Sequence, residues 1–134
     1  MPVGRRLDAR THDYVNLSAP GWLIRRVEGL QGRTPLRVVY KPSRDFARRA
    51  VRLERNGAAI GGEAVPGLYS DITFAVDGDT ARAELVLGEG ECRDFVLALN
   101  TVDGQSPLSR VPELFAVTRA FWEEWIEYCR YRGP

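Results

Sequence analysis

WLIRRVEGLQGRTPLRVVY, running from Trp22 to Tyr40, alternates with the period of two that belongs to half-buried β-strands. Leu23, Arg25 and Val27 fall on one side of the first half, and Ile24, Arg26 and Glu28 on the other. Gly29 to Gly32 supplies a turn. Leu36, Val38 and Tyr40 then alternate with Arg37, Val39 and Lys41 until Pro42 stops the strand. The pattern predicts that these two strands pair with each other as an antiparallel hairpin.

The same texture continues outward. Short strands are predicted near 49–55, 58–62, 68–76, 81–87 and 91–100, separated by Asn56-Gly57, Val65-Pro66-Gly67, Asp77-Gly78-Asp79 and Gly88-Glu89-Gly90. Turn signals this dense, with no alternation of strand and helix, argue for a mainly β, antiparallel β-sandwich rather than a parallel α/β sheet. Residues 1–21, turn-rich up to Ala19-Pro20-Gly21, read as a lead-in segment or an irregular edge strand. The predicted division is a sandwich portion over 1–104 and one long amphipathic helix over 105–134.

After Asp103-Gly104 the period becomes helical. At about 100° per residue, Leu114, Phe115, Val117, Thr118, Phe121, Trp122, Trp125, Ile126, Tyr128 and Cys129 fill roughly half the circumference. Glu113, Arg119, Glu123, Glu124, Glu127 and Arg130 share the opposite arc. Ser109 and Pro112 suit the start, Glu113 the positive end of the dipole, and Arg130 and Arg132 the negative end before Gly133-Pro134. An apolar arc with two tryptophans and two phenylalanines is wider than one small sheet face requires, so part of it is expected to cover a neighbour.

The bulk numbers bound the function. A length of 134 residues with 44% hydrophobic content suits one domain with a core that needs no disulfide or metal. No run approaches the roughly 18 apolar residues of a membrane span, and no apolar region follows the charges of MPVGRRLDAR, which predicts a soluble protein without an export signal. Cys92 and Cys129 lack the spacing of a disulfide scaffold or a zinc site and read as free thiols of a reducing, cytoplasmic compartment. Residues 1–55 carry 13 Lys and Arg against 5 Asp and Glu, and residues 56–134 carry 6 against 13. The basic residues are scattered among strand positions without an aromatic platform or a recognition helix, so neither nucleic acid nor membrane is predicted as a partner.

The sequence carries no recognisable catalytic constellation. Glu123 and Glu127 are four apart, but on the charged arc of the helix, not across a cleft as glycosidic hydrolysis demands. His12 is the only histidine, which argues against a His-based metal cluster or a Ser-His-Asp arrangement, and no cofactor is expected. Gly57, Gly61, Gly62 and Gly67 are not followed by the Lys-Ser/Thr of a phosphate-binding loop. Tyr14, Trp22, Tyr40 and Tyr69 could stack on sugar rings if exposed, or pack in the core if not.

Several segments, in order, resemble the N-terminal region of glycoside hydrolase family 15, the glucoamylase- and trehalase-like group. Met1-Pro2 is similar to the end of that family's Asp-Phe-Met-Pro strand. LIRRVEGLQGRTPLRV, Leu23 to Val38, resembles its Leu-Val-Arg-x-Val-Glu-Gly-x-x-Gly stretch, and Asp45-Phe46-Ala47 stands where it often reads Phe-Asp-Tyr-Gly. LGEGECRDFVLAL, Leu87 to Leu99, resembles its Gly-Glu strand. FWEEWIEYCRYRGP, Phe121 to Pro134, resembles its Trp-x-x-Trp helix and Tyr-x-Gly-Pro exit.

The resemblance implies part of a supersandwich-like β-domain with a linker helix leading to an (α/α)6 barrel. Both glutamates that hydrolyse O-glycosyl bonds in that family lie in the barrel, so no catalytic residue is carried over. The expectation is a non-catalytic accessory domain of carbohydrate metabolism, partnered in cis or in trans by a family 15-like barrel. It is either a piece of a larger hydrolase or a free-standing protein. Trp22, Tyr69, Phe121, Trp122 and Trp125 are the candidate sugar-stacking or interdomain contacts. The alternatives are a carbohydrate-binding module for an α-glucan or trehalose-type sugar, and an interaction domain that forms homo-oligomers through the helix.

Overall fold

The computed structural model describes residues 22–99, 106–129 and 133. The readings of Met1-Pro2, His12, Tyr14, Arg130 and Arg132 lie outside them. The chain divides into two compact units, one being Gly21–Leu108 and the other holding Ser109–Pro134.

The first unit is mainly β. Its strands are β1 (Trp22–Glu28), β2 (Arg33–Tyr40), β3 (Ser43–Arg44), β4 (Arg49–Ala50), β5 (Glu54–Asn56), β6 (Ala59–Gly61), β7 (Gly67–Ser70), β8 (Ala75–Asp77), β9 (Thr80–Gly88) and β10 (Cys92–Ala98). Among the described residues they form a five-stranded sheet in the order β1-β10-β7-β6-β5, a three-stranded sheet β2-β9-β8 and the hairpin β3-β4. Every pairing is antiparallel. The two larger sheets contribute to one core. Ile60, Leu68 and Phe95 come from the first, Ala81 and Ala83 from the second, and Leu53 and Phe74 from the links between strands.

The predicted hairpin of β1 with β2 does not form. Each strand pairs elsewhere, Trp22 opposite Ala98 in one sheet and Arg33 opposite Gly88 in the other. Stretches 22–40 and 80–98 thus make one long antiparallel ribbon that bends from sheet to sheet. Eleven residues advance along the first stretch while ten return along the second, so the corner carries a bulge. Four residues, 29–32, link the two strands, and among them only Gly32 takes a positive φ, of 61°.

Gly29 turns the corner. Its N–H donates to the Glu91 carbonyl at 2.9 Å, and its own carbonyl accepts from the Gly90 N–H at 2.8 Å. A Cβ placed on Gly29 would stand 2.0 Å from the Gly88 carbonyl oxygen. The Glu91 carboxylate accepts the Gly88 N–H at 2.8 Å and closes the neighbouring turn, where Gly90 has φ 76°.

Two predicted strands are broken. The 49–55 stretch yields only β4 and β5, because Val51 and Leu53 turn inward and the Leu53 N–H donates to the Gly78 carbonyl at 2.8 Å. The 68–76 stretch splits into β7 and β8, which lie in different sheets. Phe74, between them, is buried in the core.

Polar contacts follow the register. Arg26 faces Asp94 directly and grips it with two bonds, Nε to Oδ1 at 2.8 Å and Nη2 to Oδ2 at 3.0 Å. The hydrogen bond to Asp94 raises the Arg26 guanidinium above its ordinary value. Tyr40, inward on β2, donates its hydroxyl to the Pro66 carbonyl ahead of β7 and so ties the second sheet to the first. Burial pushes its phenol up to about 12.

The second unit is described from its C-terminal part. A short 3-10 helix, Pro107–Arg110, runs directly into α1 (Val111–Glu127). Ser109 therefore does not cap α1. The cap position is Arg110, without a side-chain cap bond, because the tighter preceding turn leads straight into the helix. Pro112 occupies the first turn as predicted, with Glu113 beside it.

Candidate functional site

The C-terminal helix carries the largest cluster of exposed apolar side chains among the described residues. Its stripe through Val111 and Leu114 is buried, and Val117, Thr118, Phe121 and Tyr128 are half-buried. That stripe takes only part of the predicted apolar arc. Phe115, Trp122, Trp125 and Ile126 remain exposed, Trp122 at 51% and Trp125 at 45% of their surface. Glu124, predicted on the solvated arc, is half-buried.

The exposed rings are ordered against one another. Phe121 and Trp122 meet edge to face with centroids 5.4 Å apart and planes at 80°. Trp122 and Trp125, three apart and hence one above the other on the helix, meet at 5.7 Å and 78°. On the polar side the Arg119 Nε donates to Glu123 Oε1 at 2.8 Å. Glu123 is thereby an ion-pair partner of its own helix, and Glu127 is exposed.

Of the five predicted site residues, Phe121, Trp122 and Trp125 are brought together by α1. Trp22 and Tyr69 lie in the other unit. Tyr69 is only 5% exposed and faces Val96 and Ala59 across the sheet, while Trp22 is half-buried opposite Ala98. A ring must show its face to stack on a sugar, and Tyr69 does not.

Among the described residues no group of three or more His, Cys, Asp or Glu could hold a metal ion. Cys92 is half-buried and Cys129 exposed, both free. Among the described residues no helix is long and apolar enough to cross a membrane.

One exposed feature has no role assigned from sequence. Phe46, at the tip of the β3-β4 hairpin, is 97% exposed and stands among arginines. The run Ser43-Arg-Asp-Phe-Ala-Arg-Arg49 contained the signal, an isolated aromatic between basic residues, but nothing in its spacing announces a turn.

No family model, no curated protein and no solved structure matches this chain.

Proposed function

We propose that the chain is a non-catalytic accessory domain of a family 15-like, glucoamylase- or trehalase-like glycoside hydrolase in the cytoplasm. In this reading the exposed flank of α1 packs against the (α/α)6 catalytic barrel, in cis or in trans. The observation that carries it is the pair Trp122 and Trp125, ordered edge to face yet half uncovered. Hydrolysis would then be the work of the barrel, with this domain supporting the rim of its active site. The segments resembling the family, above all Phe121 to Pro134, support the choice of partner.

The magnitude is adequate for docking. A tryptophan buries 150–250 Å² at most, so roughly 100 Å² of each ring awaits cover, and at about 25 cal/mol per Å² that is about 2.5 kcal/mol per ring. Two such rings at the centre of an interface are of hot-spot size.

The test has two arms. The purified chain, assayed on maltooligosaccharides, dextrin and trehalose, is expected to show no turnover. Added to a family 15-like barrel stripped of its own β-domain, it is expected to co-elute and to shift the tryptophan emission to the blue. Turnover by the chain alone, or indifference to the barrel, contradicts the reading. A self-association that survives Trp122→Ala and Trp125→Ala also counts against it.

A further inference from the structure

The β3-β4 hairpin turns through Asp45, Phe46 and Ala47 at φ 50°, 52° and 67°. Side chains with a Cβ rarely hold the left-handed region once, and here three do so in succession. The turn is closed by the Arg48 N–H, which donates to the Asp45 carbonyl at 3.1 Å. Burial does not explain the strain, because the residue at its tip, Phe46, is almost wholly in solvent. Strain held to keep an aromatic ring outside the fold points to a binding role.

Beside the hairpin lies an open groove of about 980 Å³. Its floor is made of small residues on neighbouring strands, Ala59 and Gly61 on β6, Gly67 on β7 and Ala98 on β10. Arg44, Arg49 and Arg52 line its walls. Arg49 and the adjacent Arg48 form no ion pair among the described residues, and Arg52 is held only by Glu54 at 3.8 Å with both side chains largely in water. Arg44 meets Glu63 at 3.3 Å.

We propose that this groove and Phe46 bind an acidic glycan, a chain of pyranose rings of which some carry carboxylates. The planar guanidinium fork takes a carboxylate through two parallel bonds, and Arg49 has its fork free. Glu54 and Glu63, set among the arginines, accept bonds from sugar hydroxyls but repel a backbone with a charge on every unit. The small-residue floor admits a ring, and the exposed face of Phe46 suits the C–H face of another.

The same features disfavour other polyanions. Single-stranded nucleic acid is held on a series of aromatic platforms, and none of the residues lining this groove is aromatic. A lone Phe with dispersed arginines is a weak anchor for an anionic bilayer. The inference uses no residue of α1 and stands apart from the docking of the barrel.

Calorimetric titration of the purified chain with hyaluronan, in which every second ring carries a carboxylate, tests it, with amylose, poly(dT) and phosphatidylserine vesicles as comparisons. Binding is expected for hyaluronan alone, weakening severalfold as salt rises from about 0.05 to about 0.5 M. The double change R49E/R52E is expected to weaken it at least about tenfold, and the milder R49Q about fivefold, with thermal stability unchanged because both side chains are exposed. Phe46→Ser should cost about fivefold. No binding, equal binding of amylose, tighter binding of poly(dT) or of the vesicles, or indifference to R49Q overturns the assignment.

Discussion

Replacing Gly29 by alanine strikes the corner on which the sandwich turns. The new Cβ would sit 2.0 Å from the Gly88 carbonyl oxygen, 2.9 Å from its carbon and 3.4 Å from Leu87 Cγ. These are mostly backbone atoms, so no rotamer change relieves the clash, and the two stretches must separate by about 1 Å or more to reach ordinary contact. Such a shift weakens both bonds that join them, Gly29 N–H to Glu91 and Gly90 N–H to Gly29. Two net hydrogen bonds are worth about 2 kcal/mol, and overpacking adds about 1–3, giving about 3–5 kcal/mol of destabilisation. At about 4–8 °C per kcal/mol for a unit of this size, that lowers Tm by about 12–40 °C. Thermal and urea unfolding followed by circular dichroism would measure it. Gly32→Ala is the control: φ is 61° but nothing lies within 4 Å, so only the backbone term, about 1 kcal/mol, should appear. If Gly29→Ala were no worse than Gly32→Ala, the bent-ribbon reading of the corner would be refuted.

Three further outcomes follow from single side chains. Ala47→Gly relieves a Cβ at φ 67° and should raise stability by about 1 kcal/mol, read as a higher urea midpoint at unchanged m-value. Tyr40 has its phenol raised to about 12 by burial, and the sign is set by the folded state holding the proton longer than the unfolded one. Its contribution is therefore full below about pH 10 and falls as pH rises from about 10 to about 12. Discounted for its partial exposure, that is about 1 kcal/mol, and Tyr40→Phe should remove this part of the alkaline loss in unfolding measured across that range. Trp122→Ala and Trp125→Ala, each of which also removes the covered half of a ring, should lower the Tm of the isolated chain by several degrees while costing about 2 kcal/mol in binding to a barrel.

Much of the fold was legible where a period was sustained. β1, β2, β9, β10 and α1 all lie where alternation or the helical repeat placed them. Pairing was not legible, because a turn of four residues between alternating strands reads alike whether the chain reverses within one sheet or bends into another. The bend at Gly29 depends on the close approach of Gly88, a contact 59 residues away that no local pattern encodes. The 68–76 stretch shows the same limit, since Ser70 to Ala75 looks continuous in sequence while β7 and β8 belong to different sheets.

The candidate site divides in the same way. The aromatic face of α1 is readable from helical geometry, since residues 122 and 125 are neighbours on any helix. Tyr69 and Trp22 were chosen for ring chemistry, which says nothing of exposure; Tyr69 is buried because β7 lies inside the five-stranded sheet. Phe46 stands in sequence as an isolated aromatic between Asp45 and Ala47. Its exposure depends on three left-handed residues that composition does not disfavour strongly enough to reveal.

The central claim, that the flank of α1 is a docking surface for a catalytic barrel, is tested most directly by tryptophan emission. The chain would be titrated with a family 15-like barrel lacking its β-domain, alongside the double variant Trp122→Ala/Trp125→Ala. The account predicts a saturable blue shift with the native chain and binding at least about tenfold weaker in the variant, followed by co-elution. Emission that stays unchanged at saturating barrel, or equal binding by the variant, would contradict it.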